Sequence, residues 1–150
     1  MQKDPVLASL LKQELVVLER VSHPYIVRVL DLFEDNHFIY VAQELLPQGN
    51  LLQVLTKIKR AGASFTERDV ASLVRQMLLA VSYVHEAGLI HRDLKMENVM
   101  VDLQPTHGES TMTDIVCKIT DFGFACLAQP GLRENNITCG TPIYMAPEMI

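Results

Sequence analysis

Three short motifs follow one another along the second half of this chain. They are His91–Asn98 (HRDLKMEN), Asp121–Gly123 (DFG) and Ala146–Glu148 (APE). Any one of them alone is weak evidence, but an eight-residue block with two ordered partners is poorly explained by chance. The fold of this chain therefore has to bring the polar side chains of the first two motifs into one cleft.

The side chains of these motifs match the needs of phosphoryl transfer to a hydroxyl group. That chemistry requires positioning, charge neutralisation and a group that accepts the hydroxyl proton. Asp93 supplies a carboxylate, and Lys95 supplies a cation for the transferring phosphate. Asn98 and Asp121 offer hard oxygen ligands of the kind that suits Mg²⁺. Gly123 gives the backbone conformational freedom close to Asp121.

Composition excludes several other classes of protein. The chain has 150 residues, 49% hydrophobic and 21% charged, which predicts a single globular domain. Its net charge is −5, without a basic stripe, so we expect no nucleic-acid partner. No apolar run reaches the ~18 residues that span a bilayer, so we expect no membrane partner. The three cysteines are odd in number and widely spaced, which favours a reducing, cytoplasmic compartment.

The first half of the chain predicts a helix, a hairpin and a second helix. Asp4-Pro5 and the apolar spacing after it predict an amphipathic helix over residues 5–21. Two β-rich stretches at about 26–33 and 38–44, joined by a polar turn, predict an antiparallel hairpin. A break at Pro47–Asn50 precedes a short helix over residues 51–60.

The second half predicts one long helix followed by short strands. Thr66-x-x-Asp69 is typical of a capping box, and the helix behind it is expected to end near Gly88. We interpret its Leu, Val and Met stripe over residues 70–84 as core. Strands are predicted at 99–101 and 115–120 around a polar loop at 102–114, and the stretch 121–142 is expected to be irregular.

HRDLKxEN, DFG and APE, in this order, resemble the eukaryotic protein kinase family over about Val6 to Ile150. Lys95 and the sequence Gly140-Thr141-Pro142-x-Tyr144 are similar to its serine/threonine branch. The resemblance implies an α+β, two-lobed protein-kinase-like fold in incomplete form. It would hold one helix and two strands of the small lobe, in residues 1–44. Residues 45–150 would hold two helices, the catalytic loop, a strand pair and the activation segment of the large lobe.

The resemblance implies catalytic and metal-binding roles. Asp93 would be the catalytic base, Lys95 would contact the γ-phosphate, and Thr141 would bridge the two. Asn98 and Asp121 would hold Mg²⁺. The substrates would be ATP and a protein with a serine or threonine acceptor.

Nucleotide-binding roles are implied for a second set of residues. Glu14 looks like the helix glutamate that pairs with the nucleotide-binding lysine. Gln43 falls at the gatekeeper place, Glu44 to Leu46 at the hinge that bonds adenine, and Met100 under the adenine ring.

Regulatory roles are implied for a third set of residues. Arg92 would bind a phosphorylated activation loop, and Thr138 is a candidate phosphorylation site. Phe122 would belong to the regulatory apolar spine, together with Leu18, Val29 and His91. An upstream activator or a calcium sensor is a further candidate partner.

The sequence also departs from the family pattern. The glycine-rich loop and its strand lysine are not found upstream of Glu14, so ATP binding by this chain alone is expected to suffer. The helices that follow APE in the family are also not found, so apolar faces are expected to stand open. The stretch Glu34 to Leu45 is closer to calcium-dependent kinases, whereas the 102–114 insertion and DFGFA resemble the autophagy-initiating group.

Three hypotheses about this chain follow from these features. The first is a serine/threonine protein kinase of which this chain is a catalytic-domain fragment. The second is a non-catalytic binding module in the manner of pseudokinases, which the missing loop and lysine favour. The third is a chain without a stable independent fold. The retained HRD and DFG residues favour the first.

Overall fold

A computed structural model of the chain describes residues 21–103, 115–127 and 140–147. Its elements, in chain order, are β1 (Val29–Glu34), β2 (Ile39–Gln43), α1 (Leu51–Arg60), α2 (Glu67–Glu86), β3 (Leu89–Ile90), β4 (Val99–Leu103), β5 (Ile115–Ile119) and β6 (Cys126–Leu127), with 3₁₀ turns at Met96–Asn98 and Pro142–Tyr144. This mixture is the predicted α+β class. The helix predicted over 5–21 falls on residues 1–20 almost entirely and therefore lies outside the described residues.

The predicted hairpin is confirmed by β1 and β2, which pair antiparallel with Phe33 opposite Tyr40. Its turn is organised by Asp35, because Oδ1 accepts hydrogen bonds from the backbone N–H groups of His37 and Phe38, each at 2.7 Å. Oδ2 of the same carboxylate accepts the hydroxyl of Tyr40 at 2.7 Å. A short polar side chain thus replaces the backbone bonds that the turn would otherwise leave unmade.

Both predicted helices begin at a capping box. Asn50 caps α1, where its Oδ1 accepts from Gln53 N at 2.9 Å and its own N–H donates to Gln53 Oε1 at 3.1 Å. Thr66 caps α2 in the same reciprocal way with Asp69, as the sequence predicted. These bonds satisfy amide groups that a helix end leaves unpaired.

The remaining strands form two further pairs. The predicted strands are present as β4 and β5, which pair antiparallel from Val99 opposite Ile119 to Leu103 opposite Ile115. The two-residue strands β3 and β6 also pair, and neither strand was predicted from the sequence. Strands this short are too brief to show an alternating pattern, so residues 121–142 were expected to be irregular throughout.

Two hydrophobic clusters form the core, and α2 and β5 contribute to both. The first contains Val21, Ile26, Ala80, Val84, Leu89 and Ile119. The second contains Leu51, Leu73, Val99, Val101, Ile115 and Cys117. Burial raises the pKa of the Cys117 thiol to about 11, so this side chain is a neutral packing group. Among the described residues, no helix is both long and apolar enough to cross a membrane.

The prediction that the whole apolar stripe of residues 70–84 is core was wrong for one side of α2. Val70, Val74 and Leu78 are exposed, with Leu78 at 63%. The buried line of α2 instead contains Leu73, Gln76, Ala80 and Val84. The exposed side borders an apolar groove whose opposite wall includes Leu94, Met96 and Tyr144. Among the described residues, apolar side chains of α2 are therefore exposed beside this groove.

Gln76 is buried in α2 because its amide completes the outer edge of β5. Its Nε2 donates to the Ile115 carbonyl at 3.0 Å, and its Oε1 accepts from the Cys117 amide at 2.8 Å. Further along the same edge, Ile119 exchanges hydrogen bonds of 2.9 Å with Tyr25 and Val27. The Gln76 side chain thus makes the two hydrogen bonds that a neighbouring strand would otherwise make to β5. This explains why a polar residue occupies a core position.

Replacing Gln76 with leucine should lower the free energy of unfolding by about 2 kcal/mol, because it leaves one buried donor and one buried acceptor of β5 without partners. Chemical denaturation measures this change. Arg75→Leu, one residue away on the exposed side of α2, is the control and should stay within about 0.5 kcal/mol of the parent protein. Equal effects of the two variants would contradict the role assigned to Gln76.

Candidate functional site

The segment between β3 and β4 carries the first motif and is held in a non-repetitive conformation. His91, Asp93 and Asn98 are buried within it, although all three are polar. The 3₁₀ turn Met96–Asn98 ends the segment and leads directly into β4. Buried polar groups are retained only where they are hydrogen bonded, so their partners define the site.

The carboxylate of Asp93 is the centre of a four-residue hydrogen-bond cluster. Its Oδ2 accepts from Lys95 Nζ at 2.7 Å and from Asn98 Nδ2 at 2.9 Å. Its Oδ1 accepts from the Thr141 hydroxyl at 2.7 Å. Lys95 Nζ also donates to the Thr141 oxygen at 2.6 Å, which closes the cluster. The structure therefore brings together four of the residues to which the sequence assigned catalytic and metal-binding roles.

The cluster keeps Asp93 ionised although its side chain is only 2% exposed. Burial opposes the charge, but the hydrogen bonds from Lys95 and Thr141 outweigh it and hold the pKa of Asp93 below its ordinary value. The hydrogen bond to Asp93 in turn raises the pKa of Lys95, and the charge of Asp121 acts in the same direction. Asp121 thus lies near enough to act on the same cation.

His91 links this cluster to the end of β5. Its Nδ1 accepts from the Asp93 amide at 3.2 Å, so the proton of the neutral ring lies on Nε2, which donates to the Thr120 carbonyl at 3.0 Å. Burial lowers the pKa of His91, which favours this neutral form. Its ring also packs on Phe122, with centroids 4.7 Å apart. His91 therefore fixes the residues on both sides of Asp121.

Two non-glycine residues of the motifs adopt left-handed backbone conformations. Arg92 has φ of 65° and Asp121 has φ of 61°. Arg92 Nε donates to the carbonyl of Phe124, the residue that follows the second motif. Such conformations are unfavourable for residues with a side chain, and they gather at functional sites where the surroundings enforce them.

A cavity of about 430 Å³ opens beside the cluster and holds the DFG motif in its wall. One part of its lining is apolar, from Val27, Val29, Val41 and Phe122. The other part is polar and includes Gln43, Asn98, Thr120 and Asp121. A cavity of this size with a few convergent polar groups is the usual form of a small-molecule site. Another cavity, of about 500 Å³ between residues 47–49 and α1, contains none of the motif residues, so we do not associate it with this chemistry.

The oxygen atoms that Asn98 and Asp121 present at this cavity suit the coordination of a magnesium ion. Both hydrogen bonds that Asn98 gives to Asp93 leave from Nδ2, at 2.9 Å each, which turns its Oδ1 away from Asp93. Asp121 lines the same cavity as Asn98 and offers a carboxylate. One amide oxygen and one carboxylate match the small number of protein ligands that Mg²⁺ takes when it keeps water and phosphate oxygens.

The structure does not place all predicted nucleotide-binding residues around this cavity. Gln43 lines it, but Glu44, Leu46 and Met100 are not among the described residues in its wall. Glu44 instead pairs with Lys118, whose Nζ lies 2.8 Å from each carboxylate oxygen. Glu44 N also donates to the Arg28 carbonyl at 3.0 Å. The hinge and adenine-contact roles of these three residues stay predictions.

The predicted regulatory residues are only partly described. Phe122 packs against the first core cluster together with Val29, which fits a shared apolar contact. Arg92 uses its Nε to bond the Phe124 carbonyl, and a contact with a phosphorylated loop stays a prediction. Glu14 and Thr138 lie outside the described residues.

Several contacts of the site had no signal in the sequence. Lys118 carries the bidentate pair with Glu44, and His91, expected only as an apolar spine member, also bonds on both of its nitrogens. Gly140 approaches the backbone of Arg92 closely. Each contact joins residues that are far apart in the chain or depends on backbone geometry, which single-sequence patterns do not report.

Comparison with known proteins identifies the class to which this fold and site belong. The family model described as "Protein kinase domain" matches residues 2–150. The chain belongs to the protein kinase family, as its motifs predicted, and the protein-kinase-like fold is thereby confirmed. Members of this family generally use ATP and Mg²⁺.

The similar proteins belong to the predicted serine/threonine branch. The chain is 38% identical to "Probable serine/threonine-protein kinase fhkD" of Dictyostelium discoideum over 141 residues, which are 93% of the chain and 17% of that protein. It is 38% identical over 140 residues to "Calcium/calmodulin-dependent protein kinase type 1" of Macrobrachium nipponense, covering 93% of the chain and 37% of that protein. It is 32% identical over 140 residues to "Phosphorylase b kinase gamma catalytic chain, liver/testis isoform" of Bos taurus, covering 93% and 31%. The chain thus spans between a sixth and two fifths of the length of these relatives.

Replacing Lys95 with methionine should change how stability depends on pH. Because the folded-state pKa of Asp93 lies below its ordinary value of 3.8, the stability contributed by the ionised carboxylate is present above that pH and is lost as the pH falls through the lowered pKa. Without Lys95 the pKa of Asp93 rises, so the loss of stability on acidification becomes smaller or reverses. Denaturation between pH 6 and about pH 3 measures this.

The matched control is Lys57→Met on the exposed side of α1, which should leave the pH dependence unchanged. A carboxyl-carbon NMR titration of Asp93 in the Lys95 variant supplies a direct reading. An unchanged Asp93 titration would show that Lys95 does not stabilise the charge.

Proposed function

We propose that the protein of which this chain is part is a serine/threonine protein kinase. It transfers the γ-phosphate of ATP to serine or threonine hydroxyl groups of a protein substrate. The observation that carries the proposal is the cluster of Asp93, Lys95, Asn98 and Thr141 at the edge of a cavity that also contains Asp121. Membership of the protein kinase family supports the same conclusion.

In this proposal the two parts of the cavity take different parts of the nucleotide. The aliphatic side chains of Val27, Val29 and Val41 form an apolar wall that suits the adenine ring. The polar wall with Asn98 and Asp121 suits the phosphates. Mg²⁺, when bound, supplies charge neutralisation at those phosphates, and Asn98 and Asp121 are the residues that would hold it.

Asp93 orients the acceptor hydroxyl and receives its proton. A carboxylate whose pKa is held low is a weak base, but phosphoryl transfer through a loose transition state needs proton removal only late. The role of Asp93 is therefore mainly positional, which agrees with its three fixed hydrogen bonds. Lys95 lies next to it and offers a cation for the transferring group.

The proposal extends to the cellular compartment and the regulators of the protein. We expect a cytoplasmic protein from the cysteine usage, and both Cys117 and Cys126 are buried. One relative carries calcium and calmodulin dependence in its name, so a calcium sensor is a candidate regulator alongside an upstream activator.

Asp93→Asn in the complete protein should reduce kcat by about 10²-fold or more, because the base and its hydrogen-bond geometry are lost together. ATP binding should persist, since Asp93 is not in the described wall of the cavity. Radiolabel transfer to a serine-containing protein measures kcat, and Asp31→Asn on β1 is the control for the same chemical change. Full activity in the Asp93 variant would refute its assignment.

Asp121→Asn should weaken the binding of magnesium-loaded nucleotide, which thermal unfolding detects. A ligand at 100 times its Kd stabilises a protein by about 2.7 kcal/mol, and this shift should shrink in the variant. Nucleotide stabilisation without any phosphoryl transfer would favour the alternative of a binding module. Lack of both in a folded protein would refute the proposed function.

A further inference from the structure

Gly140 lies against the backbone of the first motif. A Cβ atom added at this position would lie 2.6 Å from the carbonyl oxygen of Arg92 and 3.4 Å from Met145 Cε. Contacts of Cβ atoms below 3.0 Å essentially never occur, so one of the two backbones would have to move. Gly140 also has φ of 102°, a conformation that favours glycine.

The two peptide units in this contact carry the two halves of the Asp93 cluster. The Arg92 carbonyl belongs to the peptide bond that leads into Asp93, and Gly140 is bonded directly to Thr141. The Thr141 hydroxyl lies 2.7 Å from Asp93 Oδ1 and 2.6 Å from Lys95 Nζ. The separation of these backbones therefore decides whether one hydroxyl reaches both partners.

The backbone of Arg92 has little freedom to yield. Its φ of 65° is already a left-handed conformation, and its side chain is bonded to the Phe124 carbonyl. The amide after it, that of Asp93, donates to His91 Nδ1. We therefore expect a displacement forced at this contact to reach Asp93 or Thr141, which adjoin the two peptide units.

We propose that Gly140 is a positioning residue, whose missing side chain lets residues 140–141 approach Arg92 closely enough for Thr141 to join Asp93 and Lys95. This inference rests on the proposed kinase function. Gly140 contacts no atom of the reacting groups itself. Its effect is transmitted through the Thr141 hydroxyl.

The chain contains matched controls for the backbone conformation. Gly62 and Gly88 have φ of 73° and 74°, and a Cβ atom at either would meet nothing within 4 Å. Gly62→Ala therefore carries the conformational cost of a left-handed alanine without the contact. Gly140→Ala carries both, so the difference between the two variants isolates the approach to Arg92.

The test compares Gly140→Ala and Gly62→Ala in the complete protein. Gly140→Ala should lower kcat by about 10- to 100-fold relative to Gly62→Ala, because misplacement of a positioned group by about 1 Å costs up to 10²-fold. The KM for ATP should not change, since Gly140 is not in the described wall of the cavity. Equal kcat values in the two variants would overturn the inference.

A double-mutant cycle with Thr141→Ala shows whether Gly140 acts through Thr141. If it does, Gly140→Ala adds little further loss of kcat in the Thr141→Ala background. Independent, additive losses would overturn the inference. The carboxyl titration of Asp93 gives a second reading, because loss of the Thr141 hydrogen bond should raise its pKa in Gly140→Ala but not in Gly62→Ala.

The outcomes separate this inference from the proposed function. An inactive but folded parent protein refutes the kinase proposal. An active parent with Gly140→Ala equal to Gly62→Ala refutes only the positioning role. Loss of cooperative unfolding in Gly140→Ala alone also refutes it, because the contact would then support the whole fold rather than the cluster.

Discussion

The hydrogen bonds to the buried, charged carboxylate of Asp93 are the interactions on which the rest of this structure depends. A carboxylate with a side chain 2% exposed is costly unless several donors surround it. Lys95 and Asn98 come from the same short segment, but Thr141 comes from 48 residues further along the chain. The need to satisfy one carboxylate therefore draws the segment before APE onto the segment before β4.

The position of Asp121 depends on a second set of contacts, which fix the strand in front of it. One edge of β5 pairs with β4, and the other is completed by the Gln76 amide and by Tyr25 and Val27. His91 then accepts from the Asp93 amide and donates to Thr120. The backbone of Asp93 and the backbone immediately before Asp121 are thus connected through one imidazole.

Sequence patterns predicted the elements that follow local rules. The hairpin, the capping box at Thr66 and the two strands around the 102–114 loop were all predicted from alternation and end signals. The buried face of α2 was predicted less well, because Gln76 is core through hydrogen bonds and Ala80 through close packing. Hydrophobicity correctly indicated Leu73 and Val84, but it also indicated Val70, Val74 and Leu78, which are exposed.

The site shows the same division between local and tertiary information. The motifs named the members of the Asp93 cluster because their order along the chain is distinctive. They could not show the pairing of Glu44 with Lys118, which are 74 residues apart. Nor could they show that Gly140 is required by a contact, since a glycine in a sequence does not reveal which atom its missing side chain would meet.

Strained backbone at Arg92 and Asp121 lies close to the buried charge of Asp93. Left-handed Arg92 and Asp121 each cost about 1–3 kcal/mol, and such conformations persist only where surrounding contacts enforce them. The contacts next to these residues are the bond from Arg92 to the Phe124 carbonyl and the bond from His91 to the Thr120 carbonyl. The hydrogen bonds from Lys95 and Thr141 are a separate set, which keeps the buried Asp93 carboxylate ionised. A phosphoryl-transfer site needs this kind of preorganisation, because positioning rather than covalent chemistry supplies most of its rate.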